Sequence, residues 1–248
     1  MAELIRWIPE GAAIVADTLA AGPDAITIAA FQDATAAQIS SDADVDRGTD
    51  TILGYDPGAY LYLGARSERN ETTEVDKLYP QYNRAHALLV KPGETYQYAT
   101  PEAVALHGKE FGDFWWYAAN TFNWHDASLA AATGVAETTT LRQLDIQALE
   151  FAADDKAIFK DPGGHFLTSA DTFLSIAQDA LRYIDLNQHP QAARRMHYAA
   201  GQLLVATSAV LQLRLNMGLA DVLPVNLHKI EQRIVKGNVF DANGGDTR

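Results

Sequence analysis

The sequence predicts an all-α protein, and three observations carry that prediction. Apolar residues recur at helical spacing in several long runs, as in Leu141, Leu144, Ala148, Phe151 and Ala152. No segment sustains the apolar–polar alternation of a strand. Proline and glycine fall in short clusters between the helical runs, where they punctuate rather than interrupt.

Taken in order, residues 11–21 and 24–39 read as two Ala-rich helices broken at Gly22-Pro23, with Pro23 near the start of the second. Residues 40–58 read as an acidic loop. Its Asp42-Ala-Asp44-Val-Asp46 run lacks the glycine and the closing glutamate of a calcium loop. Residues 59–79 are helical in part, and residues 80–90 form a further helix broken by Pro92-Gly93. Thr100-Pro101 supplies a cap and a first residue for a helix running to about Asn123. A short helix to Gly134 follows, then a helix within 138–156. Asp161-Pro162-Gly163-Gly164 reads as a loop, and helices at about 168–186, 190–216 and 219–235 complete the chain before a loose tail.

Composition narrows the function. With 248 residues the chain can bury a substantial core. The absence of cysteine excludes disulfides, thiolate zinc sites and a cysteine nucleophile. The sequence shows neither a stretch of eighteen apolar residues nor a basic leader, so the expected location is cytoplasmic, with no membrane partner. A net charge of −13 argues against binding nucleic acid through phosphates. That charge is uneven. Residues 1–113 carry 18 acidic against 8 basic side chains, whereas residues 194–248 carry 7 basic against 4 acidic. An acidic half that holds cations and a basic end that meets phosphates would suit a metal–nucleotide site. Acidity also aids solubility by itself.

The most informative stretch is Lys109-Glu110-Phe111-Gly112-Asp113-Phe114-Trp115-Trp116-Tyr117-Ala118-Ala119-Asn120. Glu110 and Asp113 leave one helical face, with Tyr117 one turn further on, beside an apolar stripe of Phe111, Trp115, Ala118 and Phe122. Two carboxylates held side by side on a helix can share a hard cation such as Mg²⁺. The competing reading is a solvated polar edge on a core helix. His125-Asp126 is an H-D dipeptide at a helix start, where Asp126 is a natural cap.

Glu110-Phe-Gly-Asp113-Phe-Trp-Trp-Tyr117-Ala-Ala resembles the E-L-G-D-V-L-W-Y-L-A segment of the MazG-like nucleoside triphosphate pyrophosphohydrolases. The resemblance implies an all-α bundle that splits a (d)NTP into its monophosphate and pyrophosphate with Mg²⁺. Glu110 and Asp113 become catalytic metal ligands, and Tyr117 lies near base or sugar. The family places a second carboxylate pair upstream. Two candidates stand open here: Glu71 and Glu74, which match the pair but lie far from Glu110, and Glu94, which lies closer but whose partner position is Lys91. Near the C-terminus, Asn226-Leu-His-Lys229-Ile-Glu-Gln-Arg233-Ile-Val-Lys236-Gly237 is similar to the family's N-x-x-K-x-x-x-R-x-x-x-G, which implies that Asn226, Lys229 and Arg233 meet the nucleotide. Cations also suit the last turns of a helix without any ligand. The final Gly-Gly-Asp-Thr-Arg looks like tails of phage members. Family members form dimers or tetramers, so a homodimer is an expectation.

The halves of the chain also echo each other. Aligning Gly112 with Gly201 superposes two helices, and Asp56-Pro-Gly recurs as Asp161-Pro-Gly. The second copy has Ala199 and Gln202 where the first has Glu110 and Asp113. The expected organisation is a helical extension over 1–55, a first copy over 56–156 with the carboxylates, and a degenerate second copy over 157–248. One composite site would join Glu110 and Asp113 to Asn226 and Lys229. The alternative is a protein that keeps the fold without the chemistry and serves nucleotide binding or assembly.

Overall fold

A computed structural model of the protein describes residues 9–43, 101–124, 127–180 and 190–235. Among the described residues the regular elements are helices, and the one extended pairing is a bridge between Thr27 and Thr140. The all-α class is therefore the observed one.

Helices α1 (Pro9–Ala20) and α2 (Ile28–Ala43) form an antiparallel pair, joined where Gly22 takes a left-handed φ of 80°. The second helix starts later than its sequence predicts. Ile26 and Ile28 are both buried, and a short extended segment achieves this. Ile28 N donates to Thr139 O (3.0 Å) and Leu141 N to Ile26 O (2.8 Å). Thr27 then accepts from Ala30 N at 3.0 Å and opens α2. At its other end α2 runs through Ala43, so the first residues of the predicted loop are helical.

Helix α3 (Pro101–Trp124) begins at the predicted proline. The predicted stripe of Phe111, Trp115, Ala118 and Phe122 is buried, and Phe114 and Trp116 are buried with it. Helix α4 (Leu129–Thr133) is capped by Ser128 and closed by Gly134 at φ 74°. Helix α5 (Leu141–Asp154) opens with a reciprocal capping box between Thr140 and Gln143. The predicted 138–156 run breaks at Asp155, which ends α5. Its carboxylate accepts from Ala157 N at 2.9 Å and so starts α6 (Lys156–Lys160).

Asp161-Pro162-Gly163-Gly164 is not a loop. It is the cap and first turn of α7 (Pro162–Ala180), with Asp161 accepting from Gly164 N at 3.0 Å and Pro162 as first residue. Proline needs no hydrogen bond there, and a good cap offsets the poor helix propensity of two glycines. Helix α8 (Pro190–Val210) stops short of 216. A π-helical turn, Leu211–Leu215, and a left-handed Asn216 at φ 52° end it. The chain then bends by 100° into α9 (Leu219–Val235), which carries Pro224 in its interior.

Edge-to-face contacts of Phe111 and Phe114 with Phe166, and stacking of Phe122 on Phe173, join α3 to α7. Trp115 donates to Thr207 Oγ1 on α8 at 3.1 Å. On its other side α3 meets α9 and α2. Val15 and Phe31 from the N-terminal helices, and Ile26 from the segment between them, share one core with these elements. Among the described residues no single helix is long and apolar enough to cross a membrane.

Candidate functional site

The site lies where α3 crosses α9. Glycine permits the crossing. A Cβ on Gly112 would stand 2.9 Å from Asn226 Cβ and 3.3 Å from Val222 O, and one on Gly108 would stand 2.9 Å from Val222 Cγ1. Gly108 and Gly112 are four residues apart, so both face α9 and let it settle close against α3. The close approach brings the side chains of α9 within reach of the carboxylates on α3.

Glu110 and Asp113 are buried, 4% and 9% exposed, which overturns the reading of a solvated polar edge. Asp113 Oδ1 accepts from Asn226 Nδ2 and also from Lys229 Nζ. The orientation of the Asn226 amide follows from the carboxylate, because the flipped amide would set oxygen against oxygen. Asn226 is itself buried, and its Oδ1 has no hydrogen-bond partner among the described residues. A buried acceptor left in this way is unfavourable unless a donor or cation reaches it. Tyr117, one turn beyond Asp113, is half-buried and packs edge-to-face against Trp116 at 5.0 Å.

Members of two predicted groups separated by more than a hundred residues thus meet: Asp113, from the group that also includes Glu110 and Tyr117 on α3, touches Asn226 and Lys229 on α9. Arg233 falls on α9 by its backbone. Glu71, Glu74 and Glu94, with Lys91 and the His125-Asp126 pair, lie outside the described residues. Among the described residues no cluster of three or more histidine or acidic side chains forms. By the chemistry of their donor atoms the two carboxylates on α3 suit a hard cation such as Mg²⁺, which takes one or two carboxylates and completes its shell with water and substrate phosphates.

Sequence reasoning missed the residue that braces this crossing. Gln38 of α2 is buried. It accepts from Trp116 Nε1 at 2.7 Å and donates to Leu227 O at 2.8 Å. It thereby ties α3 at Trp116 to α9 beside Asn226. The signal was present: Phe31, Ala34, Thr35 and Gln38 share one face of α2, and all four are buried. Gln32 makes a second tie, donating to Asn123 Oδ1 and Ala127 O, both at 2.8 Å, and accepting from Leu129 N at 2.7 Å.

A further buried carboxylate, Asp145 on α5, meets α9 at its first turn. Its oxygens accept from Leu219 N (2.8 Å), Ala220 N (3.1 Å) and Ser208 Oγ (2.8 Å). Burial pushes the Asp145 carboxyl above its ordinary value, opposed by these donors and by nearby Arg142. Arg142 in turn bridges Asp24 (2.8 Å) and Asp221 (2.9 Å).

No family model, curated protein or solved structure matches the chain.

Proposed function

We propose that this chain is a Mg²⁺-dependent nucleoside triphosphate pyrophosphohydrolase of the MazG-like type, converting a (d)NTP and water to the monophosphate and pyrophosphate. The observation that supports the reading is the convergence of Asn226 and Lys229 on Asp113, across 113 and 116 residues of chain. The residues that resemble the family's carboxylate motif and those that resemble its phosphate motif meet at one carboxylate.

In this reading Glu110 and Asp113 hold the cation from one helical face. Held there, Mg²⁺ would supply neutralisation of the triphosphate charge and would lower the pKa of a bound water. One carboxylate of the pair would take the proton that the water loses. Lys229 would place an ammonium beside the charge that develops on the leaving pyrophosphate, while Asn226 holds Asp113 in position. Tyr117 borders the site on the side that would take sugar or base.

The reading extends to a tandem duplication. Gly201 follows Gly112 by 89 positions, and Val222 follows Thr133 by the same 89. Gly112 approaches α9 at Val222 O, and a Cβ on Gly201 would stand 3.7 Å from Ala132 O and 3.8 Å from Thr133 Cα. Each copy would then set its glycine against the following helix of the other.

A second reading is a non-catalytic nucleotide-binding or assembly relative. It is favoured by the same contact, because a carboxylate joined to an ammonium and an amide is also a sound way to bury charge between helices. Pyrophosphate release from a panel of NTPs and dNTPs, with Mg²⁺ or EDTA, separates the two. We expect metal-dependent turnover in the wild type and a loss of about a thousandfold in Glu110→Gln. Well-folded wild type inert towards every nucleotide would favour the second reading.

A further inference from the structure

Lys229 and Asn226 approach the same oxygen of Asp113, but they differ in freedom. Asn226 is buried against Gly112 with its amide fixed. The Lys229 side chain is 22% exposed, against 12% for that of Asp113, so part of the lysine reaches solvent. Lysine carries its ammonium on a flexible four-carbon stem, whereas the Asn226 amide stands one carbon from Cβ. An ammonium and a divalent cation cannot both hold the same carboxylate oxygen at contact distance, since like charges in a partly buried site repel strongly.

We propose that Lys229 is a resident counter-cation that competes with the divalent metal for Asp113, and that the phosphates of the nucleotide relieve the competition by drawing the ammonium to themselves. The inference rests on the reading of Glu110 and Asp113 as metal ligands. It adds a rule of assembly: metal and nucleotide bind synergistically, and the protein without nucleotide holds metal weakly. Asp113 is then neutralised in both situations, by lysine when the substrate is away and by metal when it is present. The coupling is reciprocal, so metal strengthens nucleotide binding by the same factor.

The test is Mn²⁺ titration followed by electron paramagnetic resonance, with and without a non-hydrolysable α,β-imido nucleoside triphosphate. Wild type is compared with Lys229→Met, Lys229→Arg, Asp113→Asn and Glu110→Gln, each checked for helical content by circular dichroism. We expect wild type without nucleotide to bind Mn²⁺ at least tenfold more weakly than Lys229→Met, and the analogue to narrow that gap. Lys229→Arg keeps the charge and stays weak, which separates charge from the shape of the side chain. Equal Mn²⁺ affinity in wild type and Lys229→Met overturns the proposal, as does Mn²⁺ binding that survives both carboxylate variants. Turnover with equal affinities removes the competition and leaves the pyrophosphohydrolase reading standing. Competition without turnover removes the hydrolase and leaves the counter-cation. No Mn²⁺ binding by any variant, with or without the analogue, overturns both.

Discussion

Two buried aspartates meet helix α9, and they are satisfied in opposite ways. Asp145 accepts from backbone N–H groups of Leu219 and Ala220, groups that cannot leave without unwinding the helix. Asp113 accepts from the side chains of Asn226 and Lys229, two turns further along. A carboxylate that closes a helix end is fully committed to the fold. A carboxylate held by an ammonium on a flexible stem can exchange it for another cation. Burial alone does not separate the two aspartates; the kind of donor that each accepts from does.

The sharpest way to break this comparison is to remove each carboxylate and measure stability and turnover together. Asp145→Ala leaves two backbone donors and Ser208 without their acceptor. It should lose about 3 kcal/mol or more in chemical denaturation. Asp113→Asn should stay within about 1 kcal/mol of wild type while pyrophosphate release falls about a thousandfold. Equal destabilisation by the two variants would erase the distinction.

The next test moves the helix that both aspartates share. Gly112→Ala drives a methyl group into Asn226 and Val222, and should lose about 2 kcal/mol with a parallel loss of turnover. Gly201→Ala meets its neighbours at ordinary contact distance. It should be neutral, or stabilising by up to about 1 kcal/mol, because alanine favours helix. Equal effects would mean that the close approach at Gly112 is not what seats Asn226.

The smallest effect is in pH. Burial raises the Asp145 carboxyl in the folded protein, so the unfolded chain loses its proton first. The contribution is fully present below the ordinary value of 3.8 and is lost as pH rises through the raised folded value. Urea midpoints across this window should fall less in Asp145→Asn than in wild type. An unchanged slope would indicate that the backbone donors cancel the effect of burial.

Much of this architecture was legible from sequence, and the exceptions have physical causes. Helix α3 was readable because Pro101 marks its start and its apolar stripe is unbroken. Asp161-Pro162-Gly163-Gly164 misled because turn residues are also cap and first-turn residues, and only the hydrogen bond from Gly164 N distinguishes the two. The late start of α2 depends on Thr139 and Leu141, more than a hundred residues away, which no local pattern encodes. Asp113 and Asn226 could be nominated separately. Their meeting depends on the depth of a helix crossing, set by Gly108 and Gly112 and braced by Gln38. That brace sits on a helix whose sequence carried no functional reading.

The Asp113–Lys229 pair closes a span of 116 residues, and the Gln38–Leu227 bond one of 189. Helical proteins ordinarily fold fast because their contacts are local. Here the contacts that build the site are among the most distant in sequence, and loop-closure entropy opposes them until the rest of the chain has condensed. Loop-closure entropy therefore weighs against early formation of the α3–α9 crossing. A partly folded chain could carry nearly all of its helix and none of its site, so recovery of the site, rather than of helical content, reports that refolding is complete.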